Sequence, residues 1–160
     1  MNNDQITQLT NFLHEAMKAT YAGGGKEVEH PQRPGFKELA FEEGDWKYRD
    51  SYCGFYQSWG EEVVWLKGKP FWTMLYGGGM EPEHHGNRDF AIQTFTFLKK
   101  AMSAKPGGFQ PRGPKHFRDR DWEYTCEWEG GIKKFRGEEK ITFKGKLVFS
   151  HWFFGGLVGW

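Results

Sequence analysis

The 160-residue sequence has little of several features that would place it in a common class of protein. It holds two cysteines, Cys53 and Cys126, which are too few for a disulfide framework and form no CxxC pair, so a reduced cytoplasmic compartment is expected. Lys and Arg number 22 against 21 Asp and Glu, and this balance gives no general attraction to nucleic acid or to a charged membrane. Neither a signal peptide nor a run of about 18 apolar residues is present, so we expect no membrane association.

Motifs that hold nucleotides, metals or catalytic nucleophiles are also missing. The sequence has no GxGxxG, no phosphate-binding loop and no GxSxG elbow, so no cofactor is expected. The loop with Glu83, His84 and His85 lacks HxxxH or CxxC spacing, and adjacent histidines rarely bind one ion, which predicts a solvated loop without metal. The stretch GGFQPRGPKHFRDRDW, residues 107–122, could stack on nucleic acid, but its acidic residues favour a solvated connection.

Aromatic residues, by contrast, are abundant. Fifteen Phe, eight Trp and six Tyr make up 18% of the chain. Such residues favour strands, and they also line sites for flat or apolar ligands. The composition therefore favours a β-rich aromatic core and is compatible with an aromatic binding site.

The chain repeats a series of landmarks in the same order. GEEVVWLKGKPFWTMLYGGG, residues 60–79, returns as GEEKITFKGKLVFSHWFFGG, residues 137–156. GDWKY, residues 44–48, returns as RDWEY, residues 120–124, and FLHEAMKA, residues 12–19, returns as FLKKAMSA, residues 97–104. We interpret this order as an internal duplication: two pseudo-repeats, about residues 4–80 and 87–156, in a single domain of residues 1–160.

Each repeat predicts one helix. The first helix is indicated by apolar residues at helical spacing: Ile6, Leu9, Leu13, Ala16 and Met17. Asn3 or Asp4 is its candidate N-cap, and the glycines from Gly23 onward would end it. The second helix would begin near Asn87 or Asp89, and its apolar face is Phe95, Leu98, Ala101 and Met102.

Three strand-like runs follow each helix. They are DWKYRDSY, EEVVWLKG and KPFWTMLY in the first repeat, and DWEYTCEW, EEKITFKG and KLVFSHWFF in the second. Tight turns at the two Lys-Gly-Lys elements would join antiparallel strands, with positive φ at Gly68 and Gly145. Because one αβββ unit leaves a sheet edge and half its apolar surface open, we predict an α+β fold in which two units form a mainly antiparallel six-stranded sheet or half-barrel with two helices.

Alternation along the strands places apolar side chains on both faces of this predicted sheet. In the third strand, Trp72, Met74 and Tyr76 lie opposite a set that is also largely apolar, namely Phe71, Thr73 and Leu75. A sheet covered by helices on one face alone would show polar residues on the other. We therefore expect long loops, a dimer partner or a bound ligand to cover the second face.

This argument predicts a groove for a small apolar or aromatic ligand. The YRDSY stretch, residues 48–52, supplies polar groups that can orient a ligand, and His151 stands where the first repeat has Met74. The predicted ligand-binding residues are Tyr48, Arg49, Asp50, Tyr52, Trp65, Trp72, Tyr76, His151 and Trp152.

Two other functions stay open at this point. An enzyme of hydrolase or isomerase type would bring Asp50, or Glu61 and Glu62, together with His151 in one cleft. A protein-interaction or dimerisation domain would instead cover the aromatic face with a partner, and a homodimer is the simplest case.

Four stretches together resemble a bacterial family of uncharacterised domains. They are ATYAGGG, residues 19–25, EGDWKYRDSYCG, residues 43–54, GEEVVWLKGKPFWTMLYGG, residues 60–78, and RGEEKITFKGKLVF, residues 136–149. Members of that family occur alone or fused behind a repressor-type helix-turn-helix module, which no stretch of this sequence resembles. The resemblance implies a ligand sensor or a dimerisation unit, and it carries over no catalytic residues.

Overall fold

The computed structural model describes residues 3–21, 23–104 and 107–159, and within them the chain forms two α-helices, one short 3-10 helix (Pro82–His84) and one eight-stranded sheet. In chain order the elements are α1 (Asn3–Ala19), β1 (Lys37–Glu43), β2 (Trp46–Gly54), β3 (Gln57–Leu66), β4 (Lys69–Met80), α2 (Arg88–Ser103), β5 (His116–Asp119), β6 (Trp122–Gly131), β7 (Lys134–Phe143) and β8 (Lys146–Leu157). Neighbouring strands are antiparallel in the order β1-β2-β3-β4-β8-β7-β6-β5. The predicted α+β class is confirmed, whereas the prediction of six strands is wrong.

The two strands that the prediction missed are the outermost strands of the sheet. Strand β1 reads KELAFEE and β5 reads HFRD, so both are short and rich in charge. Charged, short edge strands discourage pairing with another chain, and they carry little apolar alternation. The six predicted strands are all present, and several run further than predicted: β4 continues to Met80 and β8 to Leu157.

The tight turns after β3 and β7 have the same backbone. Lys67 and Gly68 have φ of 52° and 77°, and Lys144 and Gly145 have φ of 51° and 77°. Two consecutive positive-φ residues match the twist of a two-residue antiparallel hairpin. The predicted positive φ at both glycines is confirmed, and each preceding lysine shares that conformation.

Both helices pack on the same face of the sheet, called here the inner face. Phe12 of α1 stacks on Trp46 with ring centroids 5.6 Å apart, and Phe97 of α2 stacks on Trp122 at 5.5 Å. The side chain of Asn87 caps α2 by accepting a hydrogen bond from the Phe90 amide at 3.2 Å. Asn3 and Asp4, by contrast, lie within α1 instead of capping it. No helix among the described residues is both long and apolar enough to cross a membrane.

Candidate functional site

A cavity of about 180 Å³ lies between the helices and the inner face of the sheet. Its aromatic walls are Tyr21, Tyr48, Tyr52, Phe55, Tyr76, Phe95 and Phe149. Its polar and charged groups are Lys37, Asp50, Ser58, Glu62, Lys99, Arg112 and His151. Apolar walls with a few fixed polar groups are typical of small-molecule sites.

Two rows of residues across the sheet bring the charged groups inside. Asp50 and Glu62 are opposite one another on β2 and β3, and Glu139 and His151 are opposite one another on β7 and β8. Directly opposed residues of antiparallel strands project to the same face. The strand register therefore points all four side chains toward the helices.

Arg112, from the connection between α2 and β5, joins the two rows. Its Nε donates to Glu139 Oε1 at 2.9 Å, and its Nη1 donates to Glu62 Oε1 at 3.3 Å. Its guanidinium also lies over the Tyr76 ring, 4.6 Å from the centroid. Burial would lower the pKa of Arg112, but Glu139 and Glu62 raise it well above its ordinary value, so the side chain is a permanent cation.

The sequence analysis missed Arg112. It predicted a solvated connection over residues 107–122, and this is wrong at Arg112, which is fully buried between carboxylates. The available signal was the Gly-Glu-Glu element: in both repeats its second glutamate alternates onto the core face. Two inward carboxylates require a buried cation or a proton.

Glu139 is the centre of a hydrogen-bonded network. It accepts from the Tyr124 hydroxyl at 2.8 Å, and His151 Nδ1 lies 3.2 Å from its Oε1. Burial would raise the pKa of Glu139, but Arg112 and the hydrogen bonds from His151 and Tyr124 bring it down to about 2. This carboxylate therefore remains ionised at neutral pH.

His151 is held on both sides of its ring. Burial lowers the pKa of His151 below its usual value, and Arg112 adds to this effect, while Glu139 opposes it. The neutral ring donates from Nδ1 to Glu139, which leaves Nε2, 3.3 Å from Ser58 Oγ, as an acceptor. The two contacts fix the tautomer and the orientation of the imidazole.

Asp50 is the least compensated of the charged groups. The Tyr76 hydroxyl donates to its Oδ1 at 2.7 Å, while Oδ2 accepts no hydrogen bond from any residue that the structure describes. Burial and the nearby Glu62 raise the pKa of Asp50 to about 7, against the opposing effects of Tyr76 and Arg112. Asp50 therefore changes its charge close to neutral pH.

Five of the predicted ligand-binding residues line this cavity: Tyr48, Asp50, Tyr52, Tyr76 and His151. Trp72 shares their face of the sheet but is buried in the core, where it stacks on Phe135 and its indole donates to the Ile132 carbonyl at 3.1 Å. Trp72 is therefore a packing residue in this structure.

The remaining predicted residues lie on the opposite, outer face, so the prediction of one groove that includes them is wrong. Arg49 is paired there with Glu38 at 2.6 Å, Trp65 lies on the same side, and Trp152 is 65% exposed. Glu61 is also on the outer face, where it binds Arg33. Alternation along each strand separates these side chains from Asp50 and Glu62 by the thickness of the sheet.

The outer face carries exposed rings over its central strands. Trp59, Trp152 and Phe154 are 61%, 65% and 57% exposed. The Trp59 ring covers Gly77 so closely that a Cβ there would lie 2.1 Å from it. A homodimer that buries this face stays a prediction.

The histidines of the loop between β4 and α2 are held by packing. His84 lies against Phe90 with centroids 4.8 Å apart, and His85 stacks on Tyr56 with Nε2 3.0 Å from the Met80 carbonyl oxygen. Within residues 3–21, 23–104 and 107–159, no group of three or more His, Cys, Asp or Glu side chains is placed to hold a metal ion.

Comparison with known proteins identifies a family. The family described as Domain of unknown function (DUF5680) matches residues 50–158, and because this is more than half of the chain, the protein belongs to that family. The resemblance seen in the sequence is confirmed to that extent, while the bacterial origin of the family and the fusion of other members to a helix-turn-helix module stay predictions, as does a cytoplasmic location of this protein. No curated protein and no solved structure matched the chain.

Proposed function

We propose that this domain binds a small organic molecule in the cavity between its helices and the inner face of the sheet, as a sensor-like module would. The observation that carries the proposal is a cavity of about 180 Å³ with aromatic walls and oriented polar groups. A dry cavity of about 150 Å³ can hold benzene, so this one suits a single ring with a small substituent.

The buried polar network supports a functional role. Arg112, Glu62, Glu139 and His151 are all buried in a core that is otherwise largely apolar. Replacing such a network with hydrophobic side chains of similar volume is often neutral or stabilising, so stability alone does not explain it. Fixed donors and acceptors beside an open cavity are, however, what orients a ligand.

A tryptophan placed in the cavity tests the proposal. Met102 lines the cavity from α2, whereas Ile92 is on the exposed side of the same helix. Met102→Trp should abolish ligand-induced thermal stabilisation in a screen of small aromatic compounds, and Ile92→Trp should preserve it. If both variants respond to the same compounds as the parent, binding occurs elsewhere and the proposal fails.

Catalysis is a second candidate, because Asp50 and His151 line the same cavity. A carboxyl with a pKa of about 7 is matched to proton transfer at neutral pH. The neutral imidazole of His151, in the same cavity, has Nε2 as its acceptor nitrogen, 3.3 Å from Ser58 Oγ. Small carbonyl compounds and esters incubated in D2O and followed by NMR would reveal exchange or hydrolysis. Asp50→Asn should reduce such turnover by about 100-fold or more, and an unchanged rate would exclude this role for Asp50.

We also propose that the two halves arose by duplication. The strand order is mirrored about the β4–β8 pair, and the hairpins β3–β4 and β7–β8 each contain one register shift close to the turn, after Val64 and after Ile141. Aligning the first half of many family members with the second half tests this origin. Unrelated residues at the matched positions would contradict it.

A further inference from the structure

We propose that the cavity selects planar aromatic or heteroaromatic molecules that carry a cationic nitrogen, such as an amidine, a guanidine or a protonated amine, which donates to Asp50. This inference rests on the proposed binding function and adds to it the charge class of the ligand.

The charges around the cavity are unevenly compensated. Asp50 and Glu62 line it, and the carboxylate of Glu139 is bound to two other lining residues, Arg112 and His151. Arg112 is the guanidinium at the same wall, and its charge is already shared between Glu139 and Glu62. An anionic ligand would therefore meet a guanidinium whose charge is already shared between two carboxylates.

Asp50 is the group that this arrangement leaves for a ligand. Both ring nitrogens of His151 are occupied by Glu139 and Ser58, whereas Asp50 Oδ2 accepts no hydrogen bond from the described residues. Asp50 is only 4% exposed, so bulk water does little to stabilise its charge. A cationic donor at Oδ2 would form a charge-assisted hydrogen bond in a site of low polarity, where such bonds are strong.

The other residues that line the cavity are consistent with the same class of ligand. The aromatic rings around the cavity, including Tyr48 and Tyr52, offer π faces to a flat cation. Lys37 is paired with Glu27 at 3.0 Å, and Lys99 lies over the Tyr21 ring at 5.2 Å, so each of these two lysines already has a partner other than Asp50.

The titration of Asp50 should make the affinity for a cationic ligand depend on pH. The titratable or charged groups around the same cavity are Tyr21, Lys37, Tyr48, Tyr52, Glu62, Tyr76, Lys99, Arg112 and His151. Since the pKa of Asp50 is about 7 and that of His151 is lowered, Asp50 is the group expected to change charge between pH 6 and pH 8. A cation binds the ionised carboxylate, so its affinity should rise about tenfold between pH 6 and pH 8.

Benzamidinium, benzamide and benzoate test the charge preference directly, because they share one ring and one size. NMR titrations would follow the ring signals of Tyr48 and Tyr76. We expect benzamidinium to bind about tenfold or more tightly than benzamide at pH 8, and benzoate to bind most weakly. The affinity of benzamide should change little between pH 6 and pH 8, unlike that of benzamidinium.

Asp50→Asn is the matching variant, since asparagine can still accept from Tyr76. It should remove the preference for benzamidinium, whereas Glu61→Gln, which deletes a carboxylate on the outer face, should retain it. If Asp50→Asn does not fold, the affinities of the parent protein for benzamidinium at pH 6 and pH 8 still test whether an ionised carboxylate binds the cation. Equal affinities for benzamide and benzamidinium, or tightest binding of benzoate, would overturn the charge class and leave the binding function standing. If none of the three probes shifts the cavity signals, the inference also fails, and the Met102→Trp experiment then decides the binding function separately.

Discussion

The two halves of the sheet share a charged framework but differ at the residues around it. Glu62 on β3 and Glu139 on β7 occupy matched positions, and Arg112 binds both. Next to them, Asp50 of the first half corresponds to Cys126 of the second, and Met74 corresponds to His151. The shared pair is satisfied by one arginine, while the unshared positions supply the acid and the imidazole that make the site asymmetric.

A second difference explains where the cavity lies. Tyr48 and Tyr124 are matched, but the connection that carries Arg112 packs against Tyr124, with the Gly113 amide donating to its hydroxyl at 2.9 Å. A Cβ on Gly113 would lie 2.6 Å from that hydroxyl oxygen, so the contact needs glycine. Tyr48, by contrast, lines the cavity. The connection thus fills the second half and leaves the equivalent space of the first half open.

The largest expected effect comes from removing the shared arginine. Arg112→Met leaves Glu62 and Glu139 buried without their cation, and breaking a buried ion pair from one side typically costs about 3–5 kcal/mol. Urea unfolding at pH 7 measures this loss. Arg136→Met, which removes an exposed partner of Glu129, should change stability by about 0.5 kcal/mol or less. Similar losses in both variants would show that Arg112 does not hold the halves together.

The next effect depends on pH and concerns Asp50. Its folded pKa is raised to about 7 from 3.8, so its protonated form stabilises the fold at low pH, and this contribution is lost as the pH rises from about 3.8 to about 7. Asp50→Asn should therefore be more stable than the parent at pH 8, by about 2–4 kcal/mol, and show little gain at pH 4, close to the unfolded pKa. Thermal unfolding at the two pH values measures the difference. An equal gain in stability at both pH values would show that the pKa of Asp50 is not raised into this range.

The matched tyrosines should respond unequally to loss of their hydroxyl groups. Tyr124→Phe removes the bond to Glu139 and leaves the buried Gly113 amide without its acceptor, so a loss of about 1–2 kcal/mol is expected. Tyr48→Phe should cost about 0.5 kcal/mol or less, because its hydroxyl has no hydrogen-bond partner among the described residues. Chemical denaturation compares the two, and equal losses would contradict the proposed difference between the halves.

The smallest effects are expected at the exposed apolar residues of the outer face. Leu75 and Trp152 are matched and are 41% and 65% exposed. Leu75→Ser and Trp152→Ser should each change the unfolding free energy by about 0.5 kcal/mol or less. If either variant loses more than this in a concentration-dependent manner, that face is buried in an oligomer, and light scattering on the parent would show the larger mass.

Much of the fold could be predicted because local sequence patterns indicate its helices, strands and turns. Periodicity located both helices, and the repeated Lys-Gly elements located the two hairpins. The edge strands β1 and β5 were not predicted, because apolar and polar residues do not alternate clearly in such short, charged strands. Their place in the sheet depends on pairing with β2 and β6 rather than on their own residues.

The site was less predictable for a different reason. Tyr48, Asp50 and His151 were found because aromatic strands with a few polar residues are informative. Arg112 was missed because it lies in a connection without periodicity, and its partners are 50 and 27 residues away in the sequence. The prediction of a single groove erred at Trp152 because it combined residues from both faces of the strands.

The central position of β8 has a consequence for how the molecule is made. Residues 146–157 are synthesised after every other strand, yet they join β4 to β7 in the middle of the sheet. Until they leave the ribosome, the two hydrogen-bonding edges that they will connect have no partner, and the carboxylate of Glu139 lacks its imidazole. Completion of both the scaffold and the binding pocket is therefore delayed to the end of translation of this region, and the pocket forms only when the whole sheet does.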